Sequence, residues 1–209
     1  MKRMTILWGM AVVLLALFAS ACGRNKEVLF NGKNLDGWVY FLADPAPDAE
    51  PVTEPTFSVV DGKLHVSGKP NGYIRTEKVF GDCTLRLEWR WVDQRVDGGI
   101  YVFLQEGDRV WPTGVQLQIR ESDFGFFFSR IAMEDVDGPT YRKAPLCEGD
   151  PERPDGQWNK VEIRCTDGQL TAKVNGVLVN EAMTAVRGGY IGFQSEGGAI
   201  EFRNITVQY

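Results

Sequence analysis

From residue 57 onward the chain is patterned with a period of two. Between Cys83 and Trp91, the apolar Leu85, Leu87, Trp89 and Trp91 alternate with Arg86, Glu88 and Arg90. That spacing predicts a strand with one buried face and one polar face. Val115, Leu117 and Ile119 alternate in the same way with Gln116, Gln118 and Arg120. Short apolar runs flank Asp-Gly and Asn-Gly pairs, which accept the positive φ of tight hairpin turns. Asp61-Gly62 would join Phe57–Val60 to Lys63–Val66. Asp167-Gly168 would join Val161–Thr166 to Gln169–Val174, and Asn175-Gly176 leads on to Val177–Asn180. Further strands are expected at Gly99–Leu104, Val115–Arg120, Tyr190–Gln194 and Ile200–Val207. Few stretches show helical periodicity. About ten to twelve strands separated by turns predict an all-β fold, a two-sheet sandwich or jelly roll.

The first 21 residues do not belong to this pattern. Lys2 and Arg3 precede an apolar run from Thr5 to Phe18, which closes on Ala19-Ser20-Ala21-Cys22. The run is short for a membrane span and reads as a cleaved export signal. Small residues ahead of Cys22 resemble a bacterial lipobox, in which that cysteine is lipidated and becomes the mature N-terminus. An exported, lipid-anchored protein of the bacterial envelope, in the periplasm or at the cell surface, is therefore expected. Its expected layout is a leader at 1–21, a tether at 22–27 and one domain at 28–209.

Charge and composition narrow the chemistry. The chain of 209 residues carries a net charge of −5. Loss of the two leader cations makes that −7. An acidic chain of this kind lacks the basic face that nucleic acid requires. The single histidine, His65, excludes sites built on two or more histidines. Its place in a short strand suggests a solvated or partly buried residue. Cys83 and Cys165 fall in strand-like runs and read as small buried apolar groups, while no C-x-x-C spacing exists for zinc or redox chemistry. With Cys22 lipidated, Cys147 makes three, an odd number that leaves at least one thiol unpaired. Glu134-Asp135-Val136-Asp137-Gly138 is acidic but lacks calcium-loop spacing. Asp44–Pro55 and Cys147–Gln157 read as surface loops.

Candidate chemistry lies on the polar faces of the strands. The polar side of a sandwich strand is ordinarily solvated. Three strands carrying Arg86, Glu88 and Arg90, then Gln116, Gln118 and Arg120, then Gln194 and Glu196 favour a concave binding face instead. Amide, guanidinium and carboxylate groups supply the donors and acceptors that hydroxyl-rich ligands need. Trp38, Tyr40, Tyr101, Trp111 and Phe126-Phe127-Phe128 could offer flat apolar platforms to sugar rings. An oligosaccharide partner follows from this reading.

Several segments resemble one known family. Leu29-Phe30-Asn31-Gly32-Lys33-Asn34-Leu35-Asp36-Gly37-Trp38 is similar to the opening motif of the 3-keto-disaccharide hydrolase domain. The likeness continues in order through Val59–Leu64, Phe80–Arg90, Gly156–Ile163, Val174-Asn175-Gly176 and Ile191–Ile205. It implies a concanavalin A-like sandwich. It also implies action on glycosides oxidised at C3, as a hydrolase or as a lyase and hydratase. A C3 ketone acidifies the C2 proton, so one base can remove it and the C1 substituent can leave. Paired carboxylates at a fixed separation are then not needed.

For such chemistry Glu196 or Glu88 is the expected base of this chain. Arg90 and Arg120 would partner an oxyanion or a hydroxyl, and Gln116, Gln118 and Gln194 would orient the substrate. Trp38 and Tyr101 complete the expected binding residues. Many members carry Glu where this chain has Gln116, and His where Glu196 stands. The acid-to-amide change leaves a second reading, a glycan-binding module without catalysis. A third is a lipid-anchored subunit of a sugar-uptake assembly. No cofactor is expected, and a divalent cation stays open.

Overall fold

The computed structural model describes residues 25–45, 47, 51–136 and 141–209. Cys22 and the leader lie outside them, as do residues 137–140. Two sheets make up the fold. The first, sheet A, runs in the order β13 (Val177–Met183), β12 (Gln169–Val174), β11 (Asn159–Thr166), β6 (Cys83–Trp91), β15 (Ile200–Gln208), β4 (Lys63–Val66) and β3 (Phe57–Val60). A short β1 (Lys26–Val28) also pairs with β15, so Lys26 and Glu27 are strand residues rather than tether. Sheet B runs β10 (Tyr141–Lys143), β9 (Phe127–Ser129), β8 (Val115–Gln118), β7 (Gly99–Leu104), β14 (Tyr190–Ser195), β5 (Gly72–Thr76) and β2 (Trp38–Leu42). The strand pairings are antiparallel throughout. Among the described residues the helical structure is one turn of 3-10 helix at Glu121–Asp123. The all-β sandwich expected from the alternation is the fold.

The expected hairpins form where their turn residues require. Asp61, Asp167 and Asn175 have φ near +50°, and the glycine after each is also positive. The strands that escaped the sequence reading lack a period-two signal. Trp38–Leu42 reads WVYFL, apolar throughout, and β9 and β10 have three residues each. Strand β8 stops at Gln118, two residues short of Arg120. There Ile119 donates its N–H to the Gly98 carbonyl and the chain turns into the 3-10 segment.

The inward faces of both sheets merge into one core. Phe193 of β14 stacks on Phe202 of β15 at 4.3 Å, and on its other flank meets Trp38 at 5.6 Å. Trp89, Trp91, Leu85 and Leu87 lie in the same core, as their alternation predicts. Burying each such side chain contributes roughly 1.5–3 kcal/mol. Cys83 and Cys165 are buried opposite each other on β6 and β11.

Candidate functional site

Three strands of sheet B build the site, and their register explains it. In β8, Val115 and Leu117 enter the core, so Gln116 and Gln118 must point to the other side. In β7, Ile100 and Val102 enter the core, leaving Tyr101 on that same outer face. In β14, Ile191 and Phe193 are core residues and Gln194 is outward. Since β8, β7 and β14 are adjacent, their outward side chains share one surface. A cavity of about 320 Å³ opens over it, with Trp111, Phe128, Arg120 and Arg142 on its walls. Gly99 makes room for this arrangement. A Cβ there would lie 2.1 Å from Nε2 of Gln116.

The amides form a fork with a carboxylate at each end. Gln116 Nε2 donates to Gln118 Oε1 and to Gln194 Oε1, the latter at 2.6 Å. Gln118 Nε2 donates in turn to Asp97 Oδ1 at 2.8 Å, and Gln194 Nε2 to Glu196 Oε2 at 2.5 Å. An ionised carboxylate only accepts hydrogen bonds, so with both ends ionised the direction of every amide between them is set. Gln116 spends its amide hydrogens on its neighbours, and among the described residues its carbonyl oxygen accepts no hydrogen bond. Among the described residues the Tyr101 hydroxyl has no hydrogen-bond partner. It too lines the cavity.

Asp97 and Glu196 are neighbours through an isolated β-bridge. Burial pushes the Glu196 carboxyl up to about 7, and the negative charge of Asp97 adds to this against the pull of Arg120. Burial also raises Asp97, opposed by Arg120 and by the Gln118 hydrogen bond. Arg120 Nη1 stands 3.4 Å from Asp97 Oδ2 and 3.9 Å from Asp123. Asp123 pairs with Arg142, whose guanidinium lies over Phe126 and Phe128 at 4.3 and 5.1 Å. The cavity therefore holds a carboxylate poised near neutrality, a cation beside it, oriented amides and an aromatic wall. Among the described residues no group of three or more His, Cys, Asp or Glu side chains is arranged to hold a metal ion.

The structure brings together Gln116, Gln118, Arg120, Gln194, Glu196 and Tyr101. It separates the other expected site residues from them. Glu88 and Arg90 sit on β6, a strand of sheet A, and face outward on the far side of the sandwich. Glu88 there accepts a hydrogen bond from Arg203 at 2.6 Å, and Arg90 pairs with Glu201 at 2.6 Å. The concave face expected from three strands is thus two faces on opposite sheets. Trp38 is a core residue, buried against Phe193 with its indole N–H on the Leu29 carbonyl. Its apolar neighbours in β2 gave no alternation from which to read its side. Tyr40 lies at a sheet edge beside Phe57.

Asp97, Asp123 and Arg142 escaped the sequence reading. The spacing of Asp97, Gly99 and Tyr101, each two apart, was the signal for Asp97. Arg142 had none, because its strand is three residues long.

The family model for the 3-keto-alpha-glucoside-1,2-lyase-like domain matches residues 25–208. This chain belongs to that family. The match includes every residue of the cavity and begins just before β1. No curated protein matches the chain. Among solved structures, the family member is similar to a provisionally assigned glycosyl hydrolase from Parabacteroides distasonis. The TM-score is 0.64 at 19% identity, over 88% of this chain and 93% of that one. A LamA variant from Zobellia galactanivorans, in complex with laminaritriose and laminaritetraose, aligns with TM-score 0.60 at 9% identity, over 90% and 99% of the two chains. The carbohydrate-binding module CBM66 from Bacillus subtilis aligns with TM-score 0.54 at 12% identity, over 83% and 96%. At these identities the likeness is one of fold.

Proposed function

We propose that the cavity on sheet B binds a 3-keto-glycoside and that Glu196 removes its C2 proton. The observation that carries this reading is the Glu196 carboxyl, raised to about 7 inside a cavity that also holds Arg120. A base with its pKa near the working pH balances availability against strength. In the step proposed, a Glu196 oxygen takes the C2 proton. The C2–H electron pair moves into a C2–C3 double bond, and the ketone becomes an enolate. Arg120, held between Asp97 and Asp123, offers positive charge to that oxygen. Collapse of the enolate restores the ketone and expels the C1 oxygen, which takes the proton now on Glu196 and leaves as the free aglycone, so that Glu196 is again ionised. The sugar product is a 1,2-unsaturated 3-ketone, to which water can add.

The amide fork supports orientation of the substrate. Gln116, Gln118 and Gln194 hold each other rigid, and the Gln116 carbonyl oxygen and the Tyr101 hydroxyl remain to meet sugar hydroxyls. Trp111 and Phe128 offer apolar surface to the ring. The leader and the run before Cys22 support an envelope lipoprotein, exported and anchored through that cysteine. Such a protein would meet its substrate outside the cytoplasm.

Incubation with a 3-keto-glucoside, following aglycone release and solvent deuterium uptake at C2, tests the proposal. Wild type should do both, and Glu196→Gln should lose about 10²–10⁴-fold in rate. Sugar binding without turnover, on α- and β-linked substrates alike, would overturn catalysis. It would favour a glycan-binding module, the reading that an all-amide floor at Gln116, Gln118 and Gln194 supports.

A further inference from the structure

A second cavity, larger than the one at Glu196, lies elsewhere. It has a volume of about 920 Å³ and opens on the outer face of sheet A, across the sandwich from Glu196. Its lining holds four cations, Lys26, Lys63, Arg90 and Arg203, against one acid, Asp61. Glu88 and Glu201 lie behind the lining and pair with three of the four, which leaves one cation in excess in a chain of net charge −5.

The cations are held in place from outside the groove. Glu201, itself buried, takes Arg90 through Nε and Nη2 at 2.7 and 2.6 Å and Lys63 at 3.1 Å. Glu88 takes Arg203 through Nε at 2.6 Å. A bulge in β15, with Asn204 at φ +53°, also brings Asn204 Nδ2 to the same Glu88 oxygen at 3.2 Å. Among the described residues, the Nη groups of Arg203 make no hydrogen bond to a carboxylate, and the Lys26 ammonium has no carboxylate partner. Both guanidinium groups lie over the half-buried Trp158 ring, at 4.8 Å for Arg90 and 3.9 Å for Arg203. The groove thus combines fixed planar donors, a loose cation at its rim and an indole.

We propose that this groove is a second binding site, for a saccharide that carries a carboxylate. Guanidinium edges match a carboxylate in plane, which ammonium groups do not. The indole covers the apolar face of a sugar ring. An extended polyanion would meet the repulsion of the acidic remainder of the chain beyond the groove. The site is independent of the chemistry at Glu196, and either can fail alone.

Calorimetric titration of the full domain with trigalacturonate and with maltotriose tests the assignment. Trigalacturonate should bind at least about ten-fold tighter, a gap of about 1.4 kcal/mol, and lose that advantage as salt is raised. Arg203→Gln and Trp158→Ala should each weaken it about ten-fold or more, whereas Glu196→Gln should leave it unchanged. Because Arg203→Gln strands Glu88, Lys26→Gln serves as a variant at an exposed rim position and should weaken binding while the melting temperature holds. Equal affinity for both sugars, full binding by all three groove variants, or binding to anionic lipid vesicles but not to trigalacturonate would each overturn the proposal.

Discussion

Asp97 and Glu196 face each other across an isolated β-bridge, and the one carboxylate helps to keep the other protonated. Asp97 precedes β7, and Glu196 follows β14. The bridge is where the two central strands of sheet B leave the sheet, so the charge coupling is built into the backbone. Arg120 stands between full repulsion and neutrality, with Nη1 3.4 Å from Asp97.

The coupling has a sign that can be measured. In the proposed reaction Glu196 must be ionised to act as a base, so kcat/KM should rise with pH through about 7. Asp97→Asn keeps an oxygen to accept from Gln118 but removes the negative charge beside Glu196. The Glu196 pKa should fall, and the acidic limb of the profile should move to lower pH. A limb that stays in place, in a variant that still turns over, would sever Asp97 from the base.

Two tryptophans should separate stability from binding. Trp38 is buried on Phe193, and Trp38→Ala should cost about 3–5 kcal/mol, the range of large aromatic deletions in cores. Trp111 is 38% exposed on the cavity wall. Trp111→Ala should leave stability within about 0.5 kcal/mol and weaken sugar affinity. Thermal denaturation and a binding titration on both variants check the assignment. The opposite pattern would return Trp38 to the binding surface.

Glu152 should make stability depend on pH. Its loop was read as surface, yet its side chain is fully buried. Oε1 accepts from the indoles of Trp91 at 2.8 Å and Trp89 at 3.3 Å, while Oε2 has no hydrogen bond and lies 3.4 Å from Arg95. Burial outweighs these partners and pushes the carboxyl up to about 7. In the unfolded chain it titrates near 4.5. Stabilisation by the protonated form is therefore complete below about 4.5 and is lost as pH rises to about 7, a change of order 3 kcal/mol. Chemical denaturation from pH 4 to 8 should show wild type losing stability relative to Glu152→Gln over that interval. A constant difference between the two would refute the buried charge as the cause.

Much of the site was legible residue by residue, though not as a constellation. Gln116, Gln118 and Gln194 could be placed on outward strand faces because apolar residues alternate with them, and Glu196 follows two residues after Gln194. Glu88 and Arg90 satisfied the same rule equally well and belong to another surface. Alternation tells which side of its own strand a residue takes, and nothing about which sheet the strand joins. Asp97 lay just outside a strand, where alternation fades, and Glu152 lay in a loop whose polarity disguised its burial.

The sequence alone determined the all-β class, the hairpins and the two faces of each long strand. Those are local properties, written in period-two patterning and in turn residues that tolerate positive φ. Only the tertiary structure decided that β6 enters sheet A between β11 and β15, while β14 enters sheet B between β7 and β5. Strand partners are chosen by contacts between residues far apart in the chain, through packing of the whole core. That choice gathered Asp97, Gln116 and Glu196 around one cavity and carried Glu88, Arg90 and Arg203 to the opposite face, beside another.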